Sequence, residues 1–132
     1  MLVFVYGTLM DGQLNHRQLE GARLEAAARS VADFTLFDAG PWPAMVRGGS
    51  TAVSGELYAM SELQIDTLDA FEGHPALFCR KSIELVDGRR AEAWIYVAKS
   101  SPAWIVIGSG DWRKRQSGDS VAVENLPGIG SL

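Results

Sequence analysis

A chain of 132 residues, 47% hydrophobic and 21% charged, has room for one hydrophobic core and not for two. Its net charge of -4 and pI near 5.1 give no general attraction to nucleic acid or to an anionic membrane, so neither is an expected partner. The lone cysteine, Cys79, rules out an intramolecular disulfide framework and fits a reducing compartment.

The apolar start, Leu2 to Val5, lacks a basic flank and is too short for a signal core, and no window approaches the ~20 apolar residues of a membrane span. The expectation is a cytoplasmic protein with a single domain over residues 1–132, and a tail that is partly mobile from about residue 116. Leu2-Val3-Phe4-Val5-Tyr6 is β-branched and aromatic and reads as a buried first strand. Gly7 ends it, and Gly7-Thr8-Leu9 opens a polar loop through Asp11-Gly12. Asn15, with Gln18 at capping-box spacing, suggests a short helix.

Arg23 to Arg29 is alanine-rich, which favours helix by propensity, yet the alternation from Ser30 to Phe37 favours strand for much of this region. Asp38-Ala39-Gly40-Pro41 is a turn, and Ala52 to Met60 a further strand. The clearest helix runs from Ser61 to Phe71, with Ser61 and Gln64 as a capping-box pair and Gly73 as its C-terminal glycine. Ile83–Val86 and Ala91–Val97 flank Asp87-Gly88, a hairpin signal. Trp104 to Ile107 is a last apolar run, and Pro127 to Leu132 a Gly-rich, mobile end.

One carboxylate sits where an apolar side chain is expected. Ile65, Leu68 and Glu72 share one face of the helix, and that face is the apolar one. Burial and the negative end of the helix dipole both disfavour the ionised form, which tunes a glutamate toward acid/base work near neutral pH. The bland alternative is that Glu72 pairs with Arg80 or His74, or swings into solvent past the helix end. Spacing alone leaves both open.

Tyr6-Gly7-Thr8-Leu9 follows a strand directly, and successive N–H groups in such a turn can form an anion-binding nest. An ordinary tight turn explains four residues equally well. The chain has no phosphate-loop Gly-Lys-Ser and no Gly-x-Gly-x-x-Gly fingerprint.

Taken together, Val3-Phe4-Val5-Tyr6-Gly7-Thr8-Leu9 and the later Leu68-Asp69-Ala70-Phe71-Glu72-Gly73 resemble the γ-glutamylcyclotransferase (AIG2-like) family. The likeness is greatest to the γ-glutamylamine cyclotransferases and their bacterial relatives. Asn15-His16-Arg17, Gly55-Glu56-Leu57-Tyr58, Pro75-Ala76-Leu77 with Arg80, Ala93-Trp94-Ile95-Tyr96 and Ser109-Gly110-Asp111-Trp112 extend it over most of the chain. The resemblance implies an α+β fold, a small mixed β-barrel with short flanking helices. It also implies a cofactor-free cyclotransferase that releases 5-oxoproline from a γ-glutamyl-amine or γ-glutamyl-peptide. By the same resemblance Glu72 is the catalytic acid/base, and Tyr6, Gly7, Thr8 and Leu9 bind substrate through their backbone. The implied partner is a small γ-glutamyl molecule, with the chain a monomer or homodimer. Relatives commonly carry Tyr where this chain has Phe78, which bears on leaving-group preference.

Competing chemistries have thinner support. Cys79 with His74 lacks a thiol-hydrolase signature, and the two histidines with Cys79 lack metal-ligand spacing, so no metal is expected. Ser50, Ser54 and Ser61 lie in no Gly-x-Ser-x-Gly context. Glu56 reads as a surface strand residue, with a supporting role behind the site left open, and the Trp112–Arg115 cluster reads as solvated surface. Trp42, Trp94, Trp104 and Trp112 read as core or pocket walls. A module that binds a γ-glutamyl ligand without turning it over is the alternative from another class.

Overall fold

The computed structural model describes residues 1–115, and the tail expected to be mobile lies outside the described residues. Among the described residues eight strands and one α-helix follow in chain order. They are β1 (Leu2–Val5), β2 (Arg23–Arg29), β3 (Phe34–Asp38), β4 (Pro43–Arg47), β5 (Ser54–Ala59), α1 (Glu62–Phe71), β6 (Phe78–Glu84), β7 (Arg90–Tyr96) and β8 (Ile105–Val106). Short 3-10 turns cover His16–Leu19 and Trp112–Lys114. No helix among the described residues is long and apolar enough to cross a membrane.

A five-stranded sheet has the order β2-β5-β1-β7-β6, and a three-stranded sheet the order β4-β3-β8. The unbroken apolar run of β1 places it at the centre of the larger sheet, antiparallel to β5 and parallel to β7. Val3 to Met10 are all buried, so the strand delivers its following loop directly into the core. Gly55 is required beside it, because a Cβ there would land on the Val5 carbonyl oxygen and the Phe4 ring.

The α+β class holds, but the strands are not closed into the barrel that the resemblance implied. The outer strands of the larger sheet meet only at an isolated bridge, Ser30 to Leu85. Beside it the Val31 N–H donates to Glu84 O at 3.1 Å and the Val86 N–H to Arg29 O at 3.0 Å. After Arg29 the chain leaves this seam for the second sheet, so the pairing cannot propagate into a ladder.

The ambiguous Arg23–Arg29 stretch is strand, paired with β5 through a bulge at Leu24/Ala26. The alternating segment begins its strand only at Phe34, since residues 30–33 carry the crossover. β4 was not expected; Pro43 opens it, the strand position a missing N–H tolerates best. β6 starts at Phe78 rather than Ile83, and β8 is shorter than its apolar run. The Asn15 capping box does not form: the Asn15 side chain makes no cap bond and instead reaches Thr8.

At the N-terminus of α1 both bonds of the capping box are present. Ser61 N–H donates to Gln64 Oε1 at 2.8 Å, and Gln64 N–H to Ser61 Oγ at 3.2 Å. Ser61→Ala removes one of these and is expected to lower stability by about 1 kcal/mol, read as a lower urea midpoint at unchanged slope.

Candidate active site

Glu72 is the C-cap of α1, with αR backbone angles of -86° and -2°. Gly73 follows at φ +67°, and the chain closes a Schellman motif. The Gly73 N–H donates to Ala70 O at 3.3 Å and the His74 N–H to Asp69 O at 2.9 Å. The motif fixes where the last helical side chain points, and it points inward: Glu72 is 0% exposed. Of the alternatives for it, exposure to solvent past the helix end is not what is found. Arg80 spends its guanidinium on Asp69 and Glu92, His74 Nδ1 accepts the Arg80 N–H, and solvent does not reach the carboxylate.

Tyr6, the last residue before the loop, is also fully buried. Burial first, then the charge of Glu72, push its phenol well above the usual value, so it stays a neutral donor. Its hydroxyl donates to the Trp94 carbonyl oxygen at 2.6 Å. The helix end and the head of the loop are thus electrostatic neighbours inside the core.

Gly7 to Met10 forms a tight turn closed by the Met10 N–H to Gly7 O at 3.0 Å. Among the described residues, the Thr8 and Leu9 N–H groups donate to no protein acceptor. Asn15 and His16 hold the turn from outside. Asn15 Nδ2 donates to Thr8 Oγ1 at 2.9 Å, Asn15 N–H to Thr8 O at 2.8 Å, and His16 Nδ1 lies 2.9 Å from Leu9 O. Because Thr8 Oγ1 accepts from Asn15, its own O–H is left to donate elsewhere.

Two further side chains pin the loop's far end, and both had been read as surface. Glu56 Oε1 accepts the Asp11 N–H at 2.7 Å and the Tyr58 hydroxyl at 3.0 Å, and the Glu56 side chain is only 13% exposed. Arg113 Nη2 donates to Asp11 O at 2.6 Å, and Trp112 beside it is buried. All four tryptophans lie in the core, as read.

Beneath the helix end runs a polar network. Arg80 Nε donates to Asp69 Oδ1 at 3.0 Å, Arg80 Nη1 to Glu92 Oε1 at 2.8 Å, and Trp94 Nε1 to Asp69 Oδ1 at 2.8 Å. Burial raises the Asp69 pKa, but its bonds from Arg80 and Trp94 together outweigh it and hold the carboxyl below its usual range. The stability this pair contributes is therefore present above the ordinary aspartate range and lost as pH falls through the lowered value. The melting temperature should fall more steeply below about pH 4 in the wild type than in Asp69→Asn, which carries no such titration.

Phe78 is fully buried and packs edge-on against Trp42 and Tyr96, with centroids 5.6 Å and 5.2 Å away. Trp104 completes this cluster, 5.1 Å from Tyr96. Cys79 is half-buried on the neighbouring position.

The profile of the family described as "Gamma-glutamyl cyclotransferase, AIG2-like" matches residues 3–114, a span that holds the loop, Glu72 and the whole network. The chain belongs to this family. A Vibrio cholerae protein bearing the γ-glutamylcyclotransferase name is 36% identical over 115 residues, covering 86% of this chain and 96% of the relative. The human γ-glutamylaminecyclotransferase is 39% identical over 99 residues, covering 67% of this chain and 65% of the enzyme. Among solved structures, a mouse AIG2-like protein superposes with a TM-score of 0.76 at 25% identity, covering 89% of this chain and 90% of the other. A Pyrococcus horikoshii protein of 22% identity superposes at 0.71 over 95% of each chain and speaks to the fold alone.

Within this family member, the residues around the loop and the helix end that sequence reasoning did not place there are Asp69, Glu56, Asn15 and Arg113. Asp69 left a faint signal, a second acid beside Glu72 on a short helix. Nothing in the sequence pairs it with Arg80 and Trp94.

Proposed function

We propose that the protein is a cofactor-independent cyclotransferase that releases 5-oxoproline from a γ-glutamyl-amine or γ-glutamyl-peptide, with Glu72 as acid and base. The observation that carries this reading is the burial of Glu72 beside Tyr6, at the head of a loop whose Thr8 and Leu9 N–H groups donate to no protein acceptor among the described residues. The Thr8 and Leu9 N–H groups receive the substrate's α-carboxylate, and Glu72 faces its α-ammonium. Tyr6 and Gly7 shape the wall between them. A zwitterionic head is matched at both ends.

Glu72 takes a proton from the ammonium, and the free amine attacks the γ-carbonyl of the same glutamyl unit. The C–N bond to the leaving group breaks as the five-membered lactam closes, and Glu72 returns its proton to the departing nitrogen. In net terms the α-ammonium gives up two protons and the leaving amine departs as ammonium. Nucleophile and electrophile share one molecule, so holding it folded is worth roughly 7–11 kcal/mol of barrier. In this reading the Thr8 hydroxyl, which accepts from Asn15 Nδ2, donates to the developing oxyanion.

Glu72, Tyr6 and Leu9 are closed off from water in this state, so substrate entry displaces part of their cover. The closed site is also the observation that favours the second reading, a ligand-holding module without turnover. Incubation with a panel of γ-glutamyl-amines and γ-glutamyl dipeptides, followed by mass spectrometry, separates the two. Release of 5-oxoproline supports the enzyme; thermal stabilisation by ligand with no product supports the binder.

A further inference from the structure

We infer that Trp94 is the positioning strut of the site, one residue that sets the spacing between the first-strand loop and Glu72. This rests on the proposed cyclotransferase reading. Trp94 is bonded at both of its polar ends. Its main-chain carbonyl takes the Tyr6 hydroxyl at 2.6 Å, and its indole N–H holds Asp69 Oδ1 at 2.8 Å. Tyr6 leads into the loop, and Asp69 is one helical turn before Glu72.

The Asp69 main chain closes the argument. Its carbonyl oxygen accepts the His74 N–H at 2.9 Å, one of the two bonds that close the helix with Glu72 as its C-cap. Displacing Asp69 therefore displaces the cap and the carboxylate with it. The strut cannot swing aside, because Trp94 is 1% exposed in the middle of β7. Two residues earlier on the same face of β7, Glu92 holds Arg80 Nη1 at 2.8 Å. Arg80 in turn grips Asp69, so β7 reaches that carboxylate by two routes, one neutral and one ionic.

The chemistry makes this spacing consequential. Lactam closure needs the ammonium at Glu72 while the α-carboxylate stays on the loop, and a misplacement of about 1 Å can cost ~10²-fold in rate. Ground-state binding is less demanding, since the loop alone anchors the carboxylate. Loss of the strut should therefore fall on kcat and spare KM.

Four variants test this. Trp94→Phe removes the indole N–H and keeps the carbonyl that Tyr6 uses. Asp69→Ala removes the acceptor, whereas Asp69→Asn keeps an oxygen for both Trp94 and Arg80. Trp112→Phe is the control, a buried indole whose N–H has no acceptor among the described residues. Trp94→Phe and Asp69→Ala should lose roughly 10–100-fold in kcat with KM within about threefold, and Asp69→Asn should recover most of that loss. Trp112→Phe should keep the wild-type kcat. Wild-type kcat in Trp94→Phe, a rise in KM alone, or an equal loss in Trp112→Phe at matched melting temperature overturns the strut while leaving the cyclotransferase reading intact. A wild-type protein that forms no 5-oxoproline overturns both.

Discussion

Glu72→Gln should abolish 5-oxoproline release and leave the fold standing. The amide keeps the shape of the side chain at the C-cap but neither takes a proton from the α-ammonium nor returns one to the leaving nitrogen. General acid/base catalysis contributes about 10²–10⁴-fold. Here one group serves both proton transfers, so a loss at or beyond the upper end of that range is expected. Packing should survive, because the Schellman motif that fixes the helix end is made of main-chain bonds. The measurement is turnover by mass spectrometry beside a thermal melt. A variant that keeps more than about a tenth of wild-type kcat would remove Glu72 from the chemistry. A melt that collapses calls instead for Glu72→Asp, which retains the acid and retracts it by one methylene.

Gly55→Ala should produce a large loss of stability from a single methyl group. The added Cβ lands on the Val5 carbonyl oxygen and within 2.8 Å of the Phe4 ring, and backbone on one side leaves no flexible neighbour to yield. Overpacking of this kind costs about 1–3 kcal/mol and sometimes more, which for a domain of this size lowers the melting temperature by about 4–10 °C. Gly108→Ala is the matched control, with nothing within 4 Å of the new atom, and should stay within about 0.5 kcal/mol. Because Val5 leads directly into Tyr6 and the loop, activity should fall in Gly55→Ala even where the fold persists. Equal melting temperatures for the two variants would contradict this account of the close approach between β1 and β5.

The parts of the molecule legible in the sequence are those set by local rules. The unbroken apolar run of Val3 to Tyr6 demanded a central strand, and Ser61 with Gln64 demanded a helix start. The spacing of Ile65, Leu68 and Glu72 put a carboxylate on the buried face, where it is found. The parts that escaped depend on partners distant along the chain. Phe78 to Lys81 looks too polar for a strand until β7 supplies the ladder, pairing Phe78 with Tyr96 and Arg80 with Trp94. Pro43 to Arg47 is strand because β3 folds back beside it through the turn at Gly40.

The site divides in the same way. Glu72 and the Tyr6–Leu9 loop stand out because each breaks a local pattern. Asp69 breaks none, since an acid on an amphipathic helix is ordinary until Trp94 and Arg80 arrive from the β6–β7 hairpin. Glu56 alternates as an outward strand residue should, yet Asp11, Tyr58 and Arg113 cover it. Asn15 has the right neighbours for a helix cap and gives its side chain to Thr8 instead. For Asp69 and Glu56 the deciding contacts come from elements distant along the chain, while for Asn15 it is a loop contact seven residues away that a helix-cap rule does not anticipate.

The most direct test is a crystal structure of Glu72→Gln holding an uncleaved γ-glutamyl-amine. The account predicts the α-carboxylate on the Thr8 and Leu9 N–H groups, the ammonium against residue 72 and the γ-carbonyl oxygen near the Thr8 hydroxyl. A ligand seated elsewhere, for instance in the surface cavity of about 400 Å³ between Arg29, Asp87 and Arg113, would contradict it.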